Sequence, residues 1–166
     1  HVVDLWARSS VLDGGPTDTW EMLTAITKAI RRDITYRARN EEGVQDPVRT
    51  LTGKSGSCRD MAILMMEAVR ALGLAARFVS GYLYAPDSDG AGNVRGGATH
   101  AWVQVYLPGA GWVEFDPTNG IAGNRDLIRV AVSRAPGHAV PLQGTWTGMP
   151  GDFIAMEVEV SVTSEG

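Results

Sequence analysis

Cysteine is almost absent from this 166-residue chain: Cys58 is its only one. No disulfide can form within the chain, and no zinc site can be assembled from several thiolates. A lone reduced thiol fits the cytoplasm, and that is the compartment expected. An excess of positive charge is also lacking. The formal net charge is −4, with 15 Lys and Arg scattered among 19 Asp and Glu. No basic face is available to neutralise phosphates or anionic lipid, which argues against nucleic acid and membrane surfaces as partners. Long apolar runs are missing too, since none approaches the ~20 residues needed to cross a bilayer. The first segment, His1 to Asp13, has neither the basic flank nor the apolar run and small-residue cleavage site of a signal peptide. A chain that opens on His1 and not on methionine reads as a piece of something longer.

What is present suffices for one core. With 44% hydrophobic residues, residues 1–166 read as a single domain, too short for two of ordinary size. After the loop chemistry of Gly14 to Thr17, the positions Trp20, Leu23, Ile26, Thr27 and Ile30 recur at helical spacing, which predicts a helix from Asp18 to about Arg32. Ile34 to Arg37 reads as a short extended piece, and Pro47 to Thr52 as a helical turn. Beyond the flexible turn Gly53 to Ser57, the residues Met61, Ala62, Met65, Met66, Val69 and Leu72 give a strong 3.6-residue pattern that ends at Gly73. Ser57 as N-cap, with Asp60 three residues on, fixes the start of that helix at Cys58.

The period then changes. Ala76–Tyr84, Ala98–Leu107, Gly111–Asp116, Asp126–Ser133 and Phe153–Val162 are rich in Val, Phe, Tyr and Trp and read as strands. Helices come first and strands later, and the turn Pro108 to Gly111 is too short for a parallel crossover. The expected class is therefore α+β, with helices packed on an antiparallel sheet. Pro86 to Gly97, rich in Gly, Asp and Ser, reads as a flap beside a site.

A thiol nucleophile needs its anion, and a free cysteine, with a pKa of about 8.5, supplies only a few per cent of it near neutrality. The first turn of a helix stabilises an anion through unpaired N–H groups and the positive end of its dipole, and Cys58 stands there. The same N–H groups, that of Cys58 included, can form an oxyanion hole. Gly56 and Ser57, in the turn just before, are candidates to contact substrate.

Strand alternation supplies the partners. His100, Trp102, Gln104 and Tyr106 share one face of their strand, away from Ala101, Val103, Val105 and Leu107. Trp112, Glu114 and Asp116 share a face of the next, so a hairpin closed at Pro108 to Gly111 brings Asp116 towards His100. A carboxylate on one imidazole nitrogen holds the tautomer that offers the other to a thiol. Nucleophile, base and orienting carboxylate are thus filled once each, by Cys58, His100 and Asp116.

Each of these residues also has a structural explanation. A lone cysteine is commonly a small buried hydrophobe, although a glycine- and serine-rich helix start is a poor place for one. His100 reads equally as a hydrogen-bonded strand histidine, and Asp116 as a turn cap before Pro117. Trp102 and Trp112 are candidates to wall a substrate groove, or are ordinary core aromatics. Asp60 reads as serving the helix cap, and Glu114 as lining the site or its rim. The competing base, His138, sits between Gly137 and Pro141 with no carboxylate nearby in sequence and reads as a loop histidine.

The run Gly56–Ser57–Cys58–Arg59–Asp60–Met61–Ala62 resembles the cysteine motif of bacterial transglutaminase-like proteins. Ala75 to Tyr82 is similar to the strand that follows their helix, while Thr99 to Val103 and Gly111 to Asn119 resemble their histidine and aspartate motifs. The likeness is dense over residues 53–119 and weaker through Val162. It implies a papain-like α+β fold, with the cysteine on a helix against the sheet that carries histidine and aspartate. It also implies attack on a glutamine side-chain amide or a peptide bond, through an acyl-enzyme thioester that water or a second amine resolves. Relatives commonly carry a further domain before this region. The chain departs from many of them at Arg134 to Ala139, where they have an arginine and then an acidic, aromatic stretch. No clustered carboxylate loop of the calcium-binding kind is present, so calcium activation is not carried over.

Two classes of function follow. One is a cysteine-dependent amide hydrolase or acyltransferase acting on protein or peptide, with no cofactor or metal and with an amine acceptor where transfer replaces hydrolysis. The other is a binding or assembly module that keeps the fold without turnover, a reading that loss of one of the three residues would favour and that this intact set does not. Deglycosylation of asparagine-linked sugars and acetyl transfer to arylamines are chemistries of related triads, without a distinguishing motif here.

Overall fold

The computed structural model describes residues 2–9, 17–39, 43–84, 99–123, 126–140 and 144–155. Its element order is α1 (Val2–Ser9), α2 (Thr19–Asp33), β1 (Thr35–Tyr36), α3 (Pro47–Gly53), β2 (Ser55–Gly56), α4 (Cys58–Ala71), β3 (Ala76–Leu83), β4 (Thr99–Leu107), β5 (Gly111–Asp116), β6 (Ile121–Ala122) and β7 (Leu127–Ser133). Short 3-10 turns follow at Pro136–His138 and Pro150–Asp152. The helix-then-sheet order is the α+β arrangement that the sequence predicts. The segment Pro86 to Gly97, read as a flap, lies outside the described residues. The strand expected from Phe153 to Val162 is not formed over 153–155, and its remainder lies outside them.

Five strands pair in the order β6-β5-β4-β3-β7, each neighbour antiparallel. The β4–β5 hairpin sets Val103 opposite Phe115 and Tyr106 opposite Trp112. The strands β1 and β2 form a separate two-residue parallel ladder, Thr35 with Ser55 and Tyr36 with Gly56.

The centre of the molecule is α4, packed against β3 and β4 on one side and against α1, α2 and α3 on the others. Nine of its residues are buried, from Asp60 through Val69 with only Glu67 left out. An ordinary surface helix buries one stripe, whereas a helix covered all round must be apolar nearly all round, and α4 is. Ala76, Phe78, Ala101, Val103, Val105 and Phe115 from the sheet complete this core. Behind the sheet, Val79, Leu83, Trp102 and Leu127 form a second, smaller cluster. Both faces of the central strands are therefore covered, which is why Trp102 and Gln104 are fully buried although they point away from α4.

Gly81 shows how tightly this rear layer is built. It pairs with His100 at a register shift against β7, where a Cβ would stand 2.0 Å from the Ile128 carbonyl oxygen and 2.7 Å from the Trp102 ring. Gly81→Ala is expected to cost roughly 3 kcal/mol, because backbone must move to admit the methyl group. The corresponding fall in the thermal midpoint is about 6–12 °C for a chain of this size, and an unchanged midpoint in calorimetry contradicts it.

Candidate active site

The site begins with the end of a helix. Ser57 caps α4: its hydroxyl accepts the Asp60 N–H, and Asp60 returns a carboxylate to the Ser57 N–H at 2.9 Å, a reciprocal capping box. The first helical bond runs from the Met61 N–H to the Ser57 carbonyl. The N–H groups of Cys58 and Arg59 precede it and have no partner within the helix. The sulfur of Cys58, partly exposed, thus lies beside two unpaired donors and the positive end of the dipole.

Asp60 does more than cap. Fully buried, it accepts the Ser57 hydroxyl and N–H on Oδ2, and the Gln45 N–H at 2.6 Å and Arg39 Nη1 at 2.9 Å on Oδ1. Burial pushes the carboxyl up, but the donors from Gln45, Ser57 and Arg39 outweigh it and hold the group below the usual aspartate value of 3.8. This one carboxylate ties the helix start to the segments carrying Arg39 and Gln45. Since its folded pKa is depressed, its contribution is present above pH 4 or so and is lost as pH falls below that. Asp60→Asn is expected to lower stability by about 3 kcal/mol, since all four donors lose an ionised acceptor in a dry site and two of them face an NH₂ instead. Urea unfolding at pH 7 reads the loss, and the gap between variant and parent should narrow towards pH 3.

Gly56, expected to meet substrate, lies instead beneath the cap. A Cβ there would be 2.9 Å from the Asp60 Cβ and 3.2 Å from Thr50 Cγ2, so the position demands glycine for packing. Ser57 does line the cavity in front of Cys58.

His100 comes from the start of β4, and its Nε2 lies 2.8 Å from Asp116 Oδ2 at the end of β5. Both are buried, His100 at 6% exposure and Asp116 at 0%. Asp116 is fixed in turn: its Oδ1 accepts the Thr118 and Asn119 N–H groups at 2.9 and 3.2 Å, and its Oδ2 accepts Asn119 Nδ2 at 2.7 Å. It is a turn cap and a histidine partner at once, so the two explanations for it coexist. Nε2 is engaged by the carboxylate, which leaves Nδ1 as the ring nitrogen that can serve a thiol, and Cys58 lines the same cavity as the ring and contributes to its raised pKa. Burial alone would lower the pKa of His100. The hydrogen bonds to Asp116 and Cys58, and their negative charges, raise it instead to about 10.

The fold therefore brings Cys58, His100, Asp116 and Ser57 together. A cavity of ≈ 250 Å³ opens over the sulfur, with Tyr36, Arg39, Arg59, Ser80 and Thr99 also on its walls. The two tryptophans do not line it. Trp102 lies under the histidine, its ring stacked on the imidazole at 5.9 Å between centroids and its Nε1–H donated to Glu114. Glu114 also takes Gln104 Nε2 and pairs with Arg129, so it holds the rear of the sheet and is not on the cavity rim. Trp112 stands opposite Tyr106, six residues or about 20 Å along β4 from His100. It carries the Arg77 guanidinium 4.0 Å above its ring. His138, in its 3-10 turn, is also absent from the cavity wall.

Three further residues contribute to the site without a sequence motif that assigns them a role. Asn119 stands at the end of the aspartate motif, and an asparagine three residues after an aspartate is a recurrent turn partner, which is a local signal for its role. Arg39 and Tyr36 reach the cavity from the segment around β1, whose return beside α4 depends on the β1–β2 ladder and has no local signal.

The transglutaminase-like superfamily profile matches residues 7–117. An uncharacterized protein of Mycobacterium tuberculosis is 33% identical over 146 residues, which are 84% of this chain and 46% of that one. The chain spans less than half the length of such relatives. A protein-glutamine gamma-glutamyltransferase of Pseudomonas aeruginosa is 39% identical over 75 residues, 43% of this chain and 11% of that protein. Among solved structures, a candidate cysteine protease from Cytophaga hutchinsonii superposes with a TM-score of 0.66 at 25% identity, covering 83% of this chain and 44% of its own. The match over residues 7–117, with helix, histidine strand and aspartate strand in one order, is a family relationship: the chain belongs to the transglutaminase-like superfamily.

Proposed function

We propose that the protein is a cysteine-dependent amide hydrolase or acyltransferase acting on protein or peptide amides, with Cys58 as nucleophile, His100 as proton carrier and Asp116 as orienting carboxylate. The observation that carries this reading is the buried His100–Asp116 pair at 2.8 Å, sharing a cavity with Cys58 at a helix N-terminus. A histidine that stays protonated to about pH 10 favours an imidazolium–thiolate resting pair over a neutral thiol and imidazole.

From that pair the steps balance. The thiolate attacks the carbonyl carbon, and the Cys58 and Arg59 N–H groups are placed to receive the developing oxyanion. The imidazolium gives its proton to the leaving amine as the C–N bond breaks, leaving a thioester and a neutral ring. Water or an acceptor amine then attacks the thioester, His100 takes its proton, and the carboxylic acid or new amide departs as the thiolate is restored. Hydrolysis is placed slightly ahead, because water is always at hand and nothing in the cavity marks an amine site. The likeness to a protein-glutamine gamma-glutamyltransferase supports the transfer branch.

Iodoacetamide alkylation of Cys58 across pH tests the activated thiol. The parent is expected to react at pH 6 about tenfold or more faster than an ordinary thiol, and His100→Ala to fall back to ordinary behaviour. Identical profiles for the two sink the reading. Incubation with casein, with and without a labelled amine, separates crosslinking from hydrolysis, and silence in both favours a binding module.

A further inference from the structure

One arginine of the cysteine motif is used by neither the helix cap nor the triad. Arg39, on the wall of the cavity, donates to buried Asp60. Arg59 lines the same cavity, immediately after the nucleophile, and no hydrogen bond or ion pair joins it to another described residue. The third basic group on the wall, His100, is itself cationic over most of the pH range. No Asp or Glu is among the described lining residues, since Asp60 is buried beneath Ser57 and Asp116 lies at 0% exposure on the ring's Nε2. A chain of net charge −4 thus gathers three basic side chains and no described carboxylate on the wall of a ≈ 250 Å³ pocket around its one thiol. Such a pocket penalises a cationic group near the reacting carbonyl and favours an anionic one.

We propose that Arg59 recognises a carboxylate next to the reacting amide, so that the preferred acyl donors are acidic peptides. The proposal rests on the cysteine acyl-transfer reading of the same cavity. A guanidinium is the side chain whose planar fork matches a carboxylate with two parallel hydrogen bonds. Arg59 is half-buried, so solvent screens that contact less than it would on an open surface. Its unengaged fork is available to substrate without first breaking an internal pair, whereas Arg39 would have to abandon Asp60.

The test uses two probes that differ only in charge. Iodoacetate and iodoacetamide alkylate a thiolate by the same displacement, in which an S–C bond forms and iodide leaves. Arg59→Gln is expected to lower the iodoacetate-to-iodoacetamide rate ratio at Cys58 about tenfold at low salt. A ratio that Arg59→Gln leaves unchanged overturns the proposal. In parallel, a glutaminyl peptide with an adjacent Asp is expected to bind Cys58→Ala at least fivefold tighter than its Asn isostere, and the preference to vanish in Cys58→Ala/Arg59→Gln. Equal affinities, or no binding of either peptide, also overturn it. Failure of the functional reading is distinguishable, because it shows as a His100→Ala alkylation profile identical to the parent's, whatever the charge ratio does.

Discussion

Cys58→Ser is expected to lower kcat/KM on a peptide amide by at least about 10⁴-fold, although serine is a competent nucleophile in other triads. The reason lies in where the proton sits. In a serine site the histidine must be neutral, so that it can take the hydroxyl proton during attack. Here His100 is held cationic to about pH 10 by Asp116 and the Cys58 sulfur, against the effect of burial. An imidazolium has no lone pair with which to deprotonate an alcohol. Removing the sulfur withdraws part of what keeps the ring charged, while the bond to Asp116, which favours the charged ring, remains. The site suits a nucleophile that is an anion before substrate arrives. Turnover by Cys58→Ser within a hundredfold of the parent, with unchanged circular dichroism and unfolding midpoint, contradicts this account.

The elements that were legible in the sequence are those whose pattern is local. The capping pair Ser57 and Asp60 and the apolar positions of α4 place Cys58 at a helix start from residues 57–72 alone, and the helix begins there. The turn Pro108 to Gly111 and the alternation on either side set β4 against β5 in the register that lets Asp116 meet His100. The first helix of the chain carries no such local signal. Val2–Ser9 is two turns long and buries only Val3 and Ala7, so its stability comes from packing on α4 and α3 and not from its own pattern.

Alternation assigns a residue to a face but not to what covers that face. Trp102 shares a face with His100, and from that it was a fair candidate for a groove wall; the cluster of Val79, Leu83 and Leu127 closes over it instead. Trp112 shares the face as well, but its place is set by distance along the strand, and the hairpin turn puts it at the far end from the sulfur. Gly56 departs from its expected role for a related reason. Glycine before a nucleophile suggests room for substrate, whereas here the room is taken up by Asp60 and Thr50. What escaped the sequence was in each case a matter of packing, of which side chain or backbone fills the space that a pattern leaves open.

Asp116→Asn is expected to reduce kcat/KM by about 10²–10⁴-fold and to reshape the pH profile, which a purely structural role would not do. An amide at this position can accept from Nε2 through its oxygen, but then its own NH₂ faces the donors that Oδ1 now satisfies, the Thr118 and Asn119 N–H groups. Turned the other way, it donates to Nε2 and forces the ring proton onto Nδ1 in a neutral imidazole. Either arrangement removes the charge that contributes most to the raised pKa of His100, and the imidazolium becomes easier to deprotonate. The alkaline limb of kcat/KM, expected towards pH 10 in the parent, should move towards neutrality as the apparent pKa of the Cys58–His100 pair falls. Stability follows the same linkage. A histidine raised from 6.5 to about 10 contributes stability that is fully present below 6.5 and is lost as pH rises through 10, on the order of a few kcal/mol. Urea unfolding at pH 6, 8 and 10 should therefore show the parent losing stability across that window and Asp116→Asn losing less. An alkaline limb and a stability slope identical in the two proteins would mean that the carboxylate does not set the charge of the ring.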